Sequence, residues 1–152
     1  MGGPDTSSSA IERARAINES GFEETLLLKG DFSFDSGYAR CSEIKDKIKN
    51  YDAIVCANDL IAFGVMNFCK DFDINIPQDI LITGFDNLFI SSHIYPSLTT
   101  IAHPTKEIGK VGANILLDFI SKKRKEVVHL KLDHKLIIRN STNKNFGEKY
   151  EK

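Results

Sequence analysis

Short apolar segments alternate with helix-forming segments along much of this chain, and the alternation limits the folds open to it. AIVCA at 53–57 and ILITG at 80–84 are continuously apolar and partly β-branched, with LIAFGVMNFCK at 60–70 between them. Runs of the first kind are typical of buried strands, whereas the longer segment is typical of a helix. A strand, a helix and a second strand predict a parallel pair joined by a crossover. The fold class is therefore α/β, a mainly parallel sheet in a sandwich flanked by helices.

The remaining segments extend this alternation. SSSAIERARAINESG at 7–21 predicts a helix that begins at an N-cap Ser7 or Ser8 and ends at a left-handed Gly21. Apolar residues recur at helical spacing in a second segment, 34–50, at Phe34, Tyr38, Cys41, Ile44 and Ile48. They do so again at 105–120, at Ile108, Val111, Ile115, Leu116 and Phe119. Further strands are predicted at 25–30, 98–102, 127–132 and 135–139, and a polar tail at 143–152.

The composition favours one globular domain and excludes several classes of partner. The chain has 152 residues, 41% of them hydrophobic, and 20 basic against 21 acidic residues give a net charge of -1. That balance argues against nucleic-acid binding by this chain alone. The N-terminal MGGPDTSSS does not resemble a signal peptide, and no apolar run approaches the roughly 20 residues that span a bilayer. We expect a cytoplasmic protein without a membrane partner.

The sequence shows no sign of catalytic or metal chemistry. The three cysteines, Cys41, Cys56 and Cys69, are not at disulfide-framework or zinc-site spacings and are interpreted as free thiols. None of the four histidines lies at metal-ligand spacing from a cysteine or carboxylate, and GxSxG, Walker and GxGxxG motifs are absent from the sequence. We therefore predict no enzyme activity, no metal and no cofactor.

Hydrogen-bonding residues follow each of four predicted strands. Ligands of open α/β sheets bind beyond the carboxyl ends of the strands, which makes these residues candidate ligand contacts. A set of donors, acceptors and one aromatic ring suits a small polar ligand such as a sugar. In chain order the candidates are Asp31 and Phe32, Asn58 and Asp59, Asp86 and Asn87, and His103.

Several separated motifs resemble one protein family. AIVCANDLIAFGVM at 53–66, IPQDILITGFDN at 76–87 and YPSLTTIAHPTKEIGKVG at 95–112 occur in the order of the effector-binding domain of lac/gal repressor-type regulators. The resemblance runs from about Gly2 to Thr142 and corresponds to the C-terminal lobe of that domain. It implies a periplasmic-binding-protein-like fold of two α/β lobes with the effector between them. It also implies a homodimer whose separate N-terminal headpiece binds operator DNA.

The resemblance assigns roles to individual residues. It implies effector contacts at Asn58, Asp86 and His103, with Phe32 as the stacking aromatic. Relatives commonly place an effector-binding arginine three residues before the glycine that ends the first helix, a position held here by Asn18. Arg15, one turn earlier, is the candidate substitute.

Structural interpretations compete with these assignments. Asn58 and Asp59 suit a helix N-cap and its dipole partner, and we assign Asp59 to capping while favouring ligand contact for Asn58. An Asx-turn is the alternative for Asp86, although ligand contact is favoured there. For His103, a surface or capping role before Pro104 is equally open. Phe32 is also compatible with a core residue.

Two surfaces are predicted to contact other chains or lobes. In the family, 105–132 crosses to the N-terminal lobe, so without that lobe helix 105–120 has an exposed apolar stripe. We expect this helix to dock elsewhere, exchange between chains or be poorly ordered. The loop FISSHIYPS and helix 60–70 lie where relatives form part of a dimer interface. The apolar residues of the loop either contact another chain or fold back on their own sheet. They are Phe89, Ile90, Ile94 and Tyr95.

The sequence therefore predicts a lobe of a ligand-responsive transcriptional repressor that binds a sugar without changing it. A sugar-binding protein of a transport system shares the fold and is the main alternative. A sugar-modifying enzyme is a third hypothesis, against which the missing nucleophile and metal motifs count.

Overall fold

The computed structural model describes residues 1–123 and 125–145 and contains one mixed sheet. Its strands are β1 (Ala53–Val55), β2 (Leu81–Phe85), β3 (Thr99–Ala102) and β4 (Lys135–Ile137), in that spatial order. β1, β2 and β3 are parallel, and β4 runs antiparallel to β3. This arrangement confirms the predicted α/β class. The ends of the three parallel strands consequently lie at one edge.

Four α-helices accompany the sheet within the described residues. They are α1 (Ser8–Asn18), α2 (Phe34–Glu43), α3 (Asp59–Asp71) and α4 (Thr105–Ile120). The hydroxyl of Ser7 accepts from the backbone N–H of Ala10, which confirms the predicted N-cap. The helix ends at Asn18 with Glu19 as its C-cap, so Gly21 is left-handed as predicted, with a φ of 79°, but lies beyond the end of the helix. The predicted second helix divides into α2 and the 3-10 helix Lys45–Asn50.

The core lies between α2, α3 and one face of the sheet. Phe68 of α3 is fully buried, and its ring contacts the ring of Tyr38 of α2 edge to face, with 5.4 Å between centroids. Two glycines allow the helix backbones to touch. A Cβ on Gly64 would lie 2.0 Å from the carbonyl oxygen of Phe34, and one on Gly37 would lie 2.2 Å from that of Ile61.

Three strand predictions differ from the structure. In β1, Ile54 is buried between exposed Ala53 and Val55, so the strand is not covered on both faces as predicted. Residues 25–30 are not a strand: Leu28 accepts a backbone hydrogen bond from Gly2, and a single bond does not make a ladder. Residues 127–132 do not form a strand either. An apolar run becomes a strand only where another strand offers a free edge.

Helix α4 forms where the spacing predicted it, but none of its residues is buried. Ile108, Leu116 and Ile120 are largely exposed, together with Leu136 and Ile138 around β4. The apolar stripe of α4 therefore has no partner among the described residues. Of the predicted polar tail, only 143–145 fall within the described residues, and 146–152 lie outside them.

Candidate functional site

Two predicted ligand contacts meet at the ends of β2 and β3. Asp86 follows β2 and His103 follows β3, and Oδ1 of Asp86 lies 2.8 Å from Nε2 of His103. A carboxylate only accepts hydrogen bonds, so Nε2 carries the proton. Both side chains are half-buried. The parallel register of β2 and β3 is what places them side by side.

Arg13 of α1 supplies the positive charge at this edge. Its Nη1 donates to the carbonyl oxygen of Ala57 at 2.6 Å, and its guanidinium carbon lies 3.8 Å from the centroid of the Phe85 ring. Burial lowers the pKa of the guanidinium, and the Asp86 carboxylate opposes that shift. An arginine side chain stays protonated in either case. Arg13, Asp86 and His103 thus present charge, donors and acceptors together.

The structure does not bring the two expected α1 residues to this site. Arg15 pairs with Glu12 at 2.9 Å and with Glu19 at 3.6 Å, and its side chain is 62% exposed. Asn18, the last residue of α1, is also exposed. The helical period explains the difference, because Arg13 lies three positions after buried Ala10 and shares its face, whereas Arg15 turns away. The sequence alone does not show which face of α1 is buried, so this spacing identifies Arg13 only once the structure is known.

Asn58 caps α3 and fixes the backbone of the predicted stacking aromatic. Its Oδ1 accepts from the backbone N–H of Ile61 at 2.9 Å, and its Nδ2 donates to the carbonyl oxygen of Phe32 at 3.0 Å. Phe32 has a φ of 68°, and its ring lies over Gly3, where a Cβ would come within 2.3 Å of it. The ring also packs against the core. Asn58 therefore has a structural role, and an effector contact by either residue stays a prediction.

Asp59 lies in the first turn of α3, as expected for the dipole partner of the cap, but its side chain also makes contacts that the sequence did not show. Its carboxylate is fully buried and accepts from the Leu88 backbone N–H at 2.8 Å and the hydroxyls of Ser91 and Thr100, each at 2.6 Å. The cap of α3 is Asn58. A carboxylate in the first turn of a helix is favoured by the helix dipole, but here its partners come from two other segments.

The Asp86–Asn87 turn is held in an uncommon backbone conformation. Asp86 has a φ of 121° and Asn87 a φ of 52°, values that cost non-glycine residues on the order of 1–3 kcal/mol each. The backbone N–H of Asn87 donates to Oγ1 of Thr100 at 3.2 Å, and Nη2 of Arg139 donates to Oδ1 of Asn87 at 2.6 Å. Bonds from two sides therefore fix the turn that carries Asp86.

His134 is a further residue at this edge that the sequence analysis did not single out. Its ring lies 5.7 Å from the ring of Phe85 and 5.5 Å from that of His103, measured between centroids. No strand-end rule identifies it, since it precedes β4 instead of following a strand.

The predicted interface residues divide into two groups. Phe89 and Tyr95 are 80% exposed and Ile90 is also exposed, whereas Ile94 is half-buried and packs against the core. For Ile94 the interpretation that the loop folds back on its own sheet is therefore correct. The other three remain available for contact with another chain.

Neither a metal-binding cluster nor a membrane-spanning helix occurs in the part of the chain that the structure describes. Across 1–123 and 125–145, no group of three or more histidine, cysteine, aspartate or glutamate side chains is placed to hold a metal ion. None of the helices in those ranges is both long and apolar enough to cross a membrane.

A parallel-dominated α/β sheet with polar side chains at its strand ends is typical of ligand-binding domains. The chain matches the family described as periplasmic binding protein-like domain over residues 4–142. It belongs to that family, in the group formed by the effector-binding domains of lac/gal repressor-type regulators. The resemblance read from the sequence motifs is thereby confirmed.

Individual relatives agree with this assignment. The HTH-type transcriptional regulator RegA of Clostridium saccharobutylicum is 33% identical over 130 residues, which cover 84% of this chain and 39% of RegA. The structure of a complex of the transcriptional regulator CelR with cellobiose has a TM-score of 0.83 and 29% identity, covering 93% of this chain and 45% of that one.

A third relative is a regulator of the LacI family from Enterococcus faecalis V583, solved with bound ribose. It has a TM-score of 0.81 and 31% identity, and the match covers 91% of this chain and 52% of the relative. The chain thus spans from 39% to 52% of the length of these three relatives.

Proposed function

We propose that residues 1–142 act as the C-terminal lobe of a ligand-responsive transcriptional repressor. In this proposal the lobe binds a small polar effector, a sugar or sugar derivative, in a cleft against an N-terminal lobe. Residues 105–132 cross to that lobe, which agrees with the lack of buried residues in α4. The complete protein is a cytoplasmic homodimer that contacts operator DNA through a headpiece outside this chain, and it does no chemistry on the effector.

The observation that carries the proposal is the convergence of Arg13, Asp86 and His103 at the ends of the parallel strands. Arg13 lies against the Phe85 ring, and Asp86 bonds to His103. Adjacent hydroxyls of a sugar each need a donor or an acceptor, which a guanidinium and a carboxylate supply. That relatives were solved with cellobiose and ribose supports a sugar as the ligand class.

The residues have distinct roles in this proposal. The guanidinium of Arg13 donates to effector oxygens, and the carboxylate of Asp86 accepts from effector hydroxyls. His103 orients Asp86 and offers its ring edge to the same ligand. Phe32 provides an aromatic face for the apolar side of the sugar, and Asn58 keeps the backbone of Phe32 in place.

Regulation follows from binding between two lobes. An effector that contacts both lobes favours the closed arrangement by its difference in affinity for the two arrangements. In a dimer, the angle between the lobes sets the separation of paired headpieces and thus the affinity for DNA. The ligand therefore acts by shifting the population of the protein between the open and closed arrangements of the lobes.

Calorimetric titration of the full-length product that carries both lobes tests the proposal. The panel contains cellobiose, ribose, other sugars and sugar phosphates. We expect Asp86→Ala to abolish binding of the sugar that the wild type binds. Arg13→Lys keeps the charge but loses the planar fork, and its affinity should fall about tenfold to a hundredfold, the worth of one charge-assisted hydrogen bond.

Arg15→Lys is the matched control, because Arg15 lies on the same helix and pairs only with Glu12 and Glu19 in the contacts described above. Its affinity should equal that of the wild type. Equal losses in Arg13→Lys and Arg15→Lys would contradict the proposed site. Sugar binding without any change in DNA affinity would favour a solute-binding protein instead.

A further inference from the structure

A buried carboxylate connects the proposed effector site with the exposed apolar segment 88–95. We infer that Asp59 is a positioning residue that couples these two surfaces. The inference rests on the proposed function only in assigning an effector to one of the two surfaces. The contacts of Asp59 do not depend on any ligand. Asp59 has no exposed surface, and its carboxylate receives donors from two segments on either side of it.

On the effector side, the connection runs through Thr100. The hydroxyl of Thr100 donates to Oδ1 of Asp59 at 2.6 Å and accepts from the backbone N–H of Asn87 at 3.2 Å. Asn87 directly follows Asp86, and both have a positive φ. A hydroxyl that donates to a carboxylate becomes a better acceptor, so the two bonds strengthen each other. Asp59 thereby helps to hold the turn that presents Asp86.

On the other side, the same carboxylate anchors the start of segment 88–95. Its Oδ2 accepts from the backbone N–H of Leu88 at 2.8 Å and from the hydroxyl of Ser91 at 2.6 Å. These two bonds hold the 3-10 helix Phe89–Ser92 at its start and at Ser91. The side chains of Phe89 and Ile90 in this helix are exposed. A displacement of this helix therefore changes the position of the Asp59 carboxylate.

The carboxylate has little freedom to absorb such a displacement. A Cβ on Gly84 would lie 2.2 Å from Oδ1 of Asp59 and 3.0 Å from Cδ2 of Leu98, so the carboxylate lies directly on the backbone of β2. Since the carboxylate is buried, loss of one donor is costly and the remaining donors must compensate. A displacement of segment 88–95 therefore also displaces the Asp86–Asn87 turn, and the reverse.

The test removes one donor and reads the opposite side by NMR without ligand, on the 152-residue chain carrying Leu116→Glu, which keeps the exposed stripe of α4 from joining copies. Ser91→Ala deletes a bond to Asp59, and Ser92→Ala is the matched control, because its hydroxyl bonds to the Phe89 carbonyl and His93 instead. In Ser91→Ala we expect the Asn87 amide to exchange with solvent about tenfold faster. The ring Nε2–H signal of His103 should shift as well. Ser92→Ala should change neither.

A second pair of variants reads the coupling in the opposite direction. Thr100→Val removes the hydroxyl and should shift the backbone amides of Phe89 and Ile90, whereas Thr100→Ser keeps it and should restore the wild-type signals. Ser91→Ala added to Thr100→Val should have no further effect at Asn87.

Equal effects of Ser91→Ala and Ser92→Ala at Asn87 and His103 would overturn the inference. So would a Thr100→Ser variant that behaves like Thr100→Val, a result that remains available if Ser91→Ala fails to fold. Failure of this test leaves the sugar titration unaffected, and failure of the sugar titration leaves these contacts to be tested as described.

Discussion

Cys56 lies just beyond β1, and burial raises the pKa of its thiol from 9.0 to about 12. Cys69 has the same shift for the same main reason, and burial also raises the pKa of Cys41. A thiol is neutral when protonated, so the folded chain holds these protons more tightly than the unfolded chain does. The predicted free thiols are all buried.

The raised thiol pKa predicts a loss of stability in alkali. Cys56 contributes fully below the unfolded pKa near 9.0, and its contribution falls as pH rises toward about 12. In that window the free energy of unfolding should decrease by about 1.4 kcal/mol per pH unit for one such thiol. Urea unfolding at several pH values checks this, with Cys56→Ala expected to show a slope smaller by that amount. Identical slopes in wild type and variant would contradict it.

At the site, sequence reasoning succeeded where a residue type and a strand end coincide. Asp86 and His103 were predicted because parallel strands bring their ends together, and the structure places them in contact. Arg13 was missed because its contribution depends on which face of α1 is buried, a property that Ala10 reveals only once the helix is packed. The partners of Asp59 lie 29 to 41 residues away, so no local pattern showed them.

At the scale of elements, α2 and α3 approach more closely than helices with side chains at the contact can. Gly37 and Gly64 each face a carbonyl oxygen of the other helix. Nothing in the sequence distinguishes these glycines from Gly109 and Gly112 of α4, which have no atom within 4 Å of a built Cβ. All four glycines lie in helices. They differ only in that Gly37 and Gly64 contact another helix, whereas Gly109 and Gly112 do not.

This difference predicts opposite effects for the same substitution. Gly64→Ala forces a methyl group to within 2.0 Å of a backbone oxygen, so α2 and α3 must separate. The free energy of unfolding should fall by about 1–3 kcal/mol. Gly112→Ala gains helix propensity of up to about 1 kcal/mol and meets nothing. Chemical denaturation of both variants measures this, and a Gly64→Ala variant as stable as Gly112→Ala would show that the helices are not in contact.

Strand prediction from apolar runs was correct for the paired segments and wrong for the others. AIVCA and ILITG pair with each other, and LTTIA pairs on the far side of β2. TLLLKG and VVHLKL have similar composition but no strand of the sheet beside them. The residue types of a segment indicate that it can form a strand. Whether it pairs with another strand depends on where the rest of the chain lies.

At the scale of the whole molecule, the two surfaces predicted to contact other lobes or chains both present exposed apolar side chains among the described residues. One is the stripe of α4, where Leu116 is 60% exposed, and the other is segment 88–95, where Phe89 is 80% exposed. Exposed patches of this kind are typical of interaction sites. In our proposal the first is covered by the N-terminal lobe and the second by a partner subunit. The 152-residue chain has both available for contact between copies.

Two different self-association surfaces predict assemblies that grow beyond a dimer, because a chain joined through one surface still offers the other. Sedimentation velocity over a range of micromolar concentrations should show a mass that rises past that of a dimer. Leu116→Glu should stop growth at the dimer, and adding Phe89→Glu should leave a monomer. Asn114→Glu places the same charge at an exposed polar position of α4 and should assemble like the wild type.

At concentrations low enough for the wild type to be monomeric, the two glutamate variants should keep its urea unfolding midpoint, because Leu116 and Phe89 are exposed and contribute little to the core. That constancy separates loss of an interface from loss of the fold. A wild-type chain that sediments as a monomer at every concentration would contradict the prediction, and so would a Leu116→Glu variant that assembles like Asn114→Glu. The first result would mean that neither exposed surface joins copies of the chain, and the second that the stripe of α4 takes no part in assembly.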